Sequence, residues 1–357
     1  MRRATCDMIK SDNRFESVDL AASGEEGLER MRENDYDAIV LDVIMPGVNG
    51  LDVLRALQKE KKRQRILVYS TETKEGAKVT LEALELGAVD FMHKPDSLVD
   101  TQSGKFATEF CDRLFTVSNS LILPPELFKL AAVIKGKAKP SASSKGTFPG
   151  KTTEGASAKR GGKQIVAIAS STGGPKALQA VIPSLPADLA AAVVIVQHMP
   201  AGFTASLAER LDQLSPLKVV EAAEDMEIRD GTVYIAPGGR HLHIVKKRDG
   251  CFVHLTDEGH REGVKPCANY MYESLAECDY DNVVCVVMTG MGADGTEGIT
   301  NLKKKKKPFV ITQERSTCAV YGMPRAAETK GLSDEVEPLE NLASAITKQV
   351  GVKNLWM

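Results

Sequence analysis

A serine turn in this chain has the composition needed for nucleophilic acyl transfer. Residues 170–175 read Ser-Ser-Thr-Gly-Gly-Pro, between an apolar run at 165–169 and a helical pattern at 176–181. This order predicts a strand, a glycine turn and the start of a helix. A serine at such a corner lies beside the positive end of a helix, which stabilises an oxyanion on its product. The turn suits a nucleophile, and its two adjacent serines leave the choice between Ser170 and Ser171 open.

His198 and Asp294 supply what a serine needs in order to react at neutral pH. His198 follows an apolar run at 191–196, and Asp294 follows another at 283–288. A serine hydroxyl is a weak nucleophile without a base, and histidine has a suitable ordinary pKa of about 6.5. A carboxylate would fix the imidazole tautomer and stabilise its charged form. Because functional groups of parallel α/β sheets collect at the carboxyl ends of strands, we expect all three side chains at one edge.

Each of these residues also has an ordinary structural interpretation. A Gly-Gly turn before a helix can bind phosphate or simply reverse the chain, and an aspartate between glycines is often a turn or N-cap residue. The three segments together favour catalysis over these separate explanations. The Gly-x-Ser-x-Gly elbow of α/β-hydrolases is absent because residue 169 is alanine, so that fold is not supported.

Composition restricts the class of protein. A length of 357 residues predicts two domains, and 43% apolar with 26% charged residues is ordinary for a soluble globular chain. The net charge of -2 gives no general reason to expect nucleic-acid or membrane partners. The apolar runs are too short to span a bilayer. Seven cysteines without a Cys-x-x-Cys pair indicate a reduced, cytoplasmic protein with no structural zinc site.

Two regions of alternating strand and helix patterns must position these residues, and both predict parallel α/β sheets. In residues 1–97 the predicted strands are 14–21, 37–41, 65–69 and 89–92, and the predicted helices are 25–33, 51–60 and 77–86. In residues 163–352 the predicted strands are 165–169, 191–196, 233–236, 283–288 and 309–312. Residues 98–162 connect them, with a last helix and an ordered segment expected before about 131. From about 132 the connection is basic and rich in small residues, which indicates a flexible linker or a docking tail for acidic partners.

Five ordered motifs in the second region carry a family resemblance. They are Ser-Ser-Thr-Gly-Gly at 170–174, Gln-His-Met-Pro-Ala-Gly-Phe at 197–203, Tyr-Ile-Ala-Pro-Gly-Gly-Arg-His at 234–241, Thr-Gly-Met-Gly-Ala-Asp-Gly at 289–295 and Tyr-Gly-Met-Pro-Arg at 321–325. Together they resemble the CheB family of chemotaxis methylesterases. The resemblance implies a doubly wound parallel α/β domain in which Ser171 is the nucleophile, His198 the general base and Asp294 its orienting acid. It also implies that backbone N–H groups of Thr172 and Met291 bind the oxyanion.

The activity that this resemblance implies is hydrolysis of glutamate γ-methyl esters on methyl-accepting chemoreceptors, and deamidation of receptor glutamines, without a catalytic cofactor. Arg240, His241 and Arg325 either shape the substrate cleft or are structural. The chain departs from the family at a five-lysine run, 303–307, and at Cys-Ala-Asn 267–269, where Ser-Val-Asp is common. The run is either a solvated loop or a contact for an acidic receptor helix.

The first region resembles a response-regulator receiver domain, a flavodoxin-like fold. Leu-Asp-Val-Ile-Met-Pro-Gly at 41–47 matches the loop of the phosphorylated aspartate, which would be Asp42. Ser70 would be the switch hydroxyl, Phe91 the aromatic switch residue and Lys94 the family lysine, followed by Pro95 in a cis peptide. The implied phosphodonor is a chemotaxis histidine kinase, and the unphosphorylated receiver would cover the catalytic cleft.

The resemblance starts at the first receiver helix, so the first strand and its acidic pair for Mg²⁺ are missing. In the flavodoxin-like order 2-1-3-4-5 that strand is central, and its loss exposes two strand edges. Asp7 and Asp12 lie in or after the helix and are poor substitutes. We expect either a late start or a truncation and, if the chain is truncated, weak or absent Mg²⁺-dependent activation.

Two further classes of function compete with the esterase. One is a non-catalytic signalling module that only docks partners. The other is a nucleotide-binding α/β domain that uses residues 172–174 as a phosphate cradle. The second lacks a P-loop lysine and an acidic ribose-binding residue at the required spacing.

Overall fold

The structure is a computed structural model that describes residues 2–70, 73–94, 104–128 and 162–353. Two parallel sheets with flanking helices and one antiparallel hairpin make up the described chain. The strands are Ile39–Asp42 (β1), Ile66–Ser70 (β2), Asp90–His93 (β3), Gln164–Ser170 (β4), Ala192–Gln197 (β5), Lys218–Glu221 (β6), Thr232–Ile235 (β7), His241–Lys247 (β8), Gly250–Thr256 (β9), Asn282–Val287 (β10), Phe309–Gln313 (β11) and Glu335–Glu337 (β12).

The α-helices flank these sheets. They are Arg2–Lys10 (α1), Gly24–Glu33 (α2), Gly50–Lys59 (α3), Lys74–Glu85 (α4), Gly104–Ser118 (α5), Gly174–Val181 (α6), Phe203–Leu214 (α7), Ala268–Ser274 (α8), Thr296–Lys303 (α9), Met323–Thr329 (α10) and Leu339–Val350 (α11). Short 3₁₀ turns include Pro125–Phe128, which follows α5. None of the described helices is both long and apolar enough to cross a membrane.

The first sheet has three parallel strands in the order β1-β2-β3. The strand predicted at 14–21 is wrong, because Arg14 lies in a turn and residues 15–21 have irregular backbone. In the flavodoxin-like order 2-1-3-4-5, a strand at 14–21 would be the second strand and would pair only with the first strand. No described residue supplies that first strand. A strand without a hydrogen-bonding neighbour is not stable in water, so the segment stays irregular.

One face of this small sheet is covered by α1 and α5. Ile9 of α1 and Phe110 of α5 pack in an apolar cluster with Leu67, Tyr69 and Met92 of the sheet. The other three helices begin at recognisable caps, because Ser23, Asn49 and Thr73 each accept a backbone N–H of the first turn.

The second sheet has seven strands, all parallel, in the order β12-β11-β10-β4-β5-β7-β6. Every residue of β4 is buried, and helices cover both faces of the sheet in two large apolar clusters. The chain leaves β4 toward β5 and returns later to β10 on the other side. The gap beyond the ends of β4 and β10 is therefore the topological switch point, where α/β sheets place their ligands.

Two strands and a hairpin lie outside the predicted pattern. Strands β6 and β12 are short and lie at the two edges of the sheet, where apolar patterning is weak. The antiparallel hairpin β8–β9 packs against α8 and is separate from the sheet. Buried positions alternate with more exposed ones along β9, and β8 ends in two exposed lysines, so both strands lack the continuous apolar run that marks the buried strands.

The first half of the chain packs against residues 162–353 through α4 and β3. Helix α4 contacts α7, with Arg210 paired to Glu85 at 2.7 Å and Lys78 to Glu209 at 3.3 Å. Residues 104–128 hold the expected last helix and ordered segment, and Leu121 N donates to Ala319 O at 2.9 Å. Most of the predicted linker, 132–163, lies outside the described residues.

Candidate active site

The serine turn lies at the switch point of the large sheet. Ser170 is the last residue of β4 and is fully buried, with its hydroxyl donated to Gln197 Oε1 at 2.7 Å. Ser171 is half exposed, and its backbone N–H donates to Thr289 O at 3.0 Å. Gly173 has a φ of 77°, which favours glycine, and it caps α6. The two neighbouring serines therefore have opposite environments, and only Ser171 is accessible.

His198 and Asp294 are hydrogen-bonded to each other beside this turn. His198 follows β5, its backbone N–H donates to Ser170 O at 3.1 Å, and its Nε2 lies 2.7 Å from Asp294 Oδ2. An ionised carboxylate only accepts hydrogen bonds, so Nε2 carries the proton and Nδ1 has a free lone pair. Within the described chain neither His198 Nδ1 nor Ser171 Oγ makes a hydrogen bond. Such contacts are often long without substrate and tighten in the complex.

Asp294 is held by more donors than any other carboxylate near the turn. Only 3% of the residue is exposed, and besides His198 it accepts from the Cys267 thiol at 3.0 Å and the backbone N–H groups of Ala268 at 2.6 Å, Asn269 at 3.0 Å and Gly295 at 2.8 Å. Burial alone would raise the pKa of Asp294. The hydrogen bonds, with the one from His198 foremost, outweigh burial and lower its pKa below the ordinary value of 3.8. The carboxylate is therefore ionised at neutral pH.

Two backbone N–H groups beside Ser171 are available for an oxyanion. Among the described residues, neither the Thr172 nor the Met291 N–H has an acceptor. The loop that holds Met291 lies directly against the serine, because a Cβ added to Gly290 would lie 2.7 Å from Ser171 Cβ. The Thr289 hydroxyl donates to Thr172 O at 3.0 Å and ties this loop to the turn. Unpaired donors at the start of a helix are the geometry that stabilises a tetrahedral oxyanion.

The receiver lies over the same turn. The Thr172 hydroxyl donates to Asp90 Oδ2 of β3 at 2.7 Å, and both residues are buried. Phe91, the next residue of β3, stacks on Phe203 of α7 with ring centroids 4.8 Å apart. Thr116 Oγ1 of α5 lies 2.8 Å from Met291 Sδ. Receiver residues thus contact both segments that flank Ser171.

The remaining receiver residues cluster at the carboxyl ends of β1 to β3. Asp42 ends β1, its Oδ2 lies 2.5 Å from Lys94 Nζ, and its Oδ1 accepts from Ile44 N at 3.1 Å. Ser70 ends β2 and is buried, with its hydroxyl bonded to Thr80 Oγ1 at 2.6 Å. The structure brings Asp42 and Lys94 together, whereas Ser70 faces α4. The cis peptide predicted at Pro95 lies outside the described residues.

Comparison with known proteins supports both halves of this description. A family model described as "CheB methylesterase" matches residues 166–346, and one described as "Response regulator receiver domain" matches residues 1–101. The chain is 39% identical over 354 residues to the protein-glutamate methylesterase/protein-glutamine glutaminase 1 of Syntrophomonas wolfei, with 98% of this chain and 95% of that protein covered. The chain belongs to the CheB methylesterase family.

Other members agree with this CheB assignment. The protein-glutamate methylesterase/protein-glutamine glutaminase of Bacillus subtilis is 37% identical over 354 residues, covering 98% of this chain and 95% of that protein. The crystal structure of the Thermotoga maritima CheB methylesterase catalytic domain superposes with a TM-score of 0.50 at 40% identity, covering 52% of this chain and 97% of that one. The α/β fold inferred for both halves from sequence is confirmed.

The described residues of this CheB chain do not fit the magnesium ion that receiver phosphorylation uses. Asp42 is the one carboxylate at the site, and Lys94 already neutralises it. Asp7 is exposed on α1, and Arg14 holds the carboxylate of Asp12 by hydrogen bonds that lower its pKa to about 2. Within residues 2–70, 73–94, 104–128 and 162–353, no group of three His, Cys, Asp or Glu side chains is placed to hold a metal.

Several residues that hold the CheB site carry little signal in the sequence. Gln197 separates the two serines by binding Ser170, and Cys267 and Asn269 bind Asp294 from a segment 25 to 27 residues away. Glycine turns mark the ends of β4 and β10, but nothing local marks a distant donor. His241 is fully buried between Cys267 N and Gly259 O, which makes it structural, whereas Arg325 is exposed.

The five-lysine run is engaged within the domain. Its first four members each bond a neighbouring segment or their own helix, namely Lys303, Lys304, Lys305 and Lys306. These contacts favour a local structural role over a free basic surface.

Proposed function

We propose that this protein is a serine carboxylic-ester hydrolase that removes methyl groups from glutamate γ-methyl esters and releases ammonia from glutamine side chains of chemoreceptors. Its relatives are named as protein-glutamate methylesterases and protein-glutamine glutaminases. Ester and amide hydrolysis share an acyl-serine intermediate, so one site serves both.

In the proposed mechanism Ser171 Oγ attacks the ester carbonyl carbon while His198 Nδ1 accepts the hydroxyl proton. The charge that develops on the carbonyl oxygen is bound by the N–H groups of Thr172 and Met291. The intermediate collapses, His198 returns the proton, and methanol leaves with acyl-Ser171 behind. Water then attacks the acyl group by the same route and releases the glutamate carboxyl. Asp294 keeps the imidazole in the tautomer with a free Nδ1.

The hydrogen bonding of the His198 ring is the main support for this proposal. Its Nε2 is committed to Asp294 at 2.7 Å, and the opposite nitrogen has no partner among the described residues. The accessible serine follows the adjacent parallel strand, since β4 pairs with β5. A structural histidine would use both nitrogens, as His241 does with Cys267 N at 3.1 Å and Gly259 O at 3.0 Å.

We further propose that the receiver controls access to Ser171. Asp42 is the residue that a chemotaxis histidine kinase would phosphorylate, and we expect this transfer to be weak because the described residues do not hold the Mg²⁺ ion that it uses. The contacts of Asp90 with Thr172 and of Thr116 with Met291 support a closed state in which receptor side chains cannot reach the serine. Opening then requires these contacts to break. The seven free buried cysteines support a reducing, cytoplasmic location.

Methanol release from methylated receptor tests the catalytic proposal. We expect Ser171→Ala to lose about 10⁴-fold or more in kcat, because a triad without its nucleophile retains only binding and the oxyanion site. Ser170→Ala is the matched control, since Ser170 is buried on Gln197; it should cost less than about tenfold. Equal release by wild type and Ser171→Ala would reject the serine mechanism and favour a non-catalytic signalling module.

A further inference from the structure

Asp294 has one side-chain donor besides His198, and it is a thiol. Cys267 is fully buried, and its Sγ lies 3.0 Å from Asp294 Oδ1. Sulfur is a weak donor toward neutral acceptors, but a hydrogen bond to an ionised carboxylate is strengthened by charge. The thiol bonds Oδ1, whereas His198 bonds Oδ2. The two side chains therefore hold opposite oxygens of one carboxylate, and they restrain its rotation together with the backbone N–H groups of the neighbouring segments.

We infer that Cys267 is a positioning residue for the proposed hydrolysis: its S–H donates to Asp294 Oδ1 and keeps Oδ2 aimed at His198. This inference rests on the proposed function for its catalytic consequence, and on the thiol–carboxylate geometry for its structural content. It assigns a role to a position at which this chain departs from the Ser-Val-Asp common in the family.

The thiol remains a donor across the physiological pH range. Burial, and then the negative charge of Asp294, raise the pKa of Cys267 well above its ordinary value of 9.0. A thiolate at this point would repel the carboxylate and offer no proton. Because the thiol stays protonated, it is a poor nucleophile and a permanent partner of Asp294.

A second hydrogen bond fixes the backbone of Cys267. Its N–H donates to Nδ1 of His241 at 3.1 Å, and Nε2 of that ring lies 3.0 Å from Gly259 O. A backbone N–H can only donate and a carbonyl can only accept, so His241 is neutral with its proton on Nε2. Burial lowers the pKa of His241, in agreement with this neutral form. The chain Gly259–His241–Cys267–Asp294 thus reaches His198.

Backbone amides share this task with the thiol. The N–H groups of Asn269 and Gly295 reach Oδ1 at 3.0 and 2.8 Å, and that of Ala268 reaches Oδ2 at 2.6 Å. They belong to the backbone and remain when Cys267 is substituted. A Cys267→Ala variant therefore keeps the charge of Asp294 stabilised and loses only the side-chain contact that restrains its rotation. A substitution at this site separates orientation from ionisation.

The experiment compares Cys267→Ser and Cys267→Ala in the full-length protein, by methanol release across pH. We expect Cys267→Ser to stay within about threefold of wild type, because a hydroxyl replaces the donor. We expect Cys267→Ala to lower kcat about tenfold at unchanged KM, the size of one hydrogen bond to a charged group. Its pH profile should keep the wild-type shape, because the backbone N–H donors continue to hold the charge of Asp294.

The matched control is Cys285→Ala, which removes another fully buried thiol from β10. Cys285 has no hydrogen-bond partner among the described residues. Its loss should reduce stability while kcat stays within about threefold of wild type, which separates a general packing effect from a positioning effect.

An infrared measurement tests the hydrogen bond without catalysis. The S–H stretching band of Cys267, isolated as wild type minus Cys267→Ala, should lie at lower frequency than a free thiol and shift upward in Asp294→Asn. An unshifted band, a Cys267→Ala enzyme with wild-type kcat, or equal losses in the Ser and Ala variants would each overturn the inference. Failure of the proposed function would instead appear as equal methanol release by wild type and Ser171→Ala, whatever the band shows.

Discussion

The two halves of the molecule use the same alternation of strands and helices, but they differ in the completeness of their sheets. The central strand of the large sheet, β4, is buried along all seven residues. In the small sheet β1 has one buried residue out of four, because no described strand lies beyond it. Burial of a strand comes from neighbours on both sides as much as from its own apolar sequence. An apolar sequence pattern therefore makes burial of a strand possible, but the strand becomes buried only when a partner strand lies beside it.

The two carboxylates at the functional edges show the same contrast. Asp294 has five donors and is 3% exposed, whereas the Asp42 side chain is 36% exposed and is bonded by Lys94 and one backbone N–H. A carboxylate that orients the general base must stay ionised and keep one orientation. A carboxylate that accepts a phosphoryl group must be reachable. The difference in enclosure follows the difference in proposed role.

We expect the largest difference in methanol release between single substitutions of the two aspartates. We expect Asp294→Asn to lower the kcat for methanol release about 10³- to 10⁴-fold, because the amide no longer accepts from His198 Nε2 in the required tautomer. Asp42→Asn removes a carboxylate that lies outside the esterase site, so basal release should stay within a few-fold of wild type. Comparable losses in the two variants would show that the receiver edge takes part in the hydrolysis itself.

A matched pair of isoleucines compares the two sheets directly. Ile168 is fully buried on β4, and Ile39 is half-buried on β1. Ile168→Ala should lower the free energy of unfolding of the catalytic half by about 2–5 kcal/mol, the usual cost of a buried cavity. Ile39→Ala should cost about 1 kcal/mol, because less apolar surface leaves water there.

Hydrogen exchange read by mass spectrometry would assign each loss to its own sheet. A larger effect of Ile39→Ala than of Ile168→Ala would mean that β1 gains a covering partner in solution.

The contact between the halves predicts a smaller effect on activity. Asp90→Ala removes the acceptor of the Thr172 hydroxyl and leaves that buried hydroxyl unpaired in the closed state. We expect basal methanol release to rise about three- to tenfold, which corresponds to one buried hydrogen bond. Glu109→Gln serves as the control, because Glu109 is exposed on α5 and pairs only weakly with Arg113 at 3.8 Å. Unchanged release in Asp90→Ala would place control of access elsewhere.

The smallest expected effect is a pH dependence of stability in the catalytic half. Burial lowers the pKa of His241 below its ordinary value of 6.5, so below that pH the unfolded chain binds a proton that the folded chain resists. The unfolded state then holds more protons, so this contribution to stability is complete above about pH 6.5 and declines as the pH falls. Urea unfolding of wild type and His241→Asn between pH 5 and 7.5 tests it, and the decline should be smaller in the variant. If the free energy of unfolding falls equally with pH in the two proteins, His241 is not the source of the decline.

Three strands of the small sheet and five of the large sheet were predictable from sequence to within two residues. The apolar runs before Ser171, His198 and Asp294 predicted β4, β5 and β10 to within a residue or two, because each run is continuous and ends in a turn. The strand predicted at 14–21 was wrong because its stability depends on a neighbour and not on its own residues. The hairpin β8–β9 was missed because its strands lack a continuous apolar run.

What the sequence by itself determined is the strands with continuous apolar runs and the turns that follow them, since apolar runs, glycine turns and helix caps act over a few residues. Tertiary structure decided which serine is accessible, because Gln197 reaches Ser170 from the next strand. It also decided which nitrogen of His198 is free, which thiol supports Asp294, and that Asp90 lies on Thr172. These choices depend on partners 25 to 100 residues apart. Hydrogen bonds between such partners exist only once the chain has closed around them, so local sequence carries no signal of them.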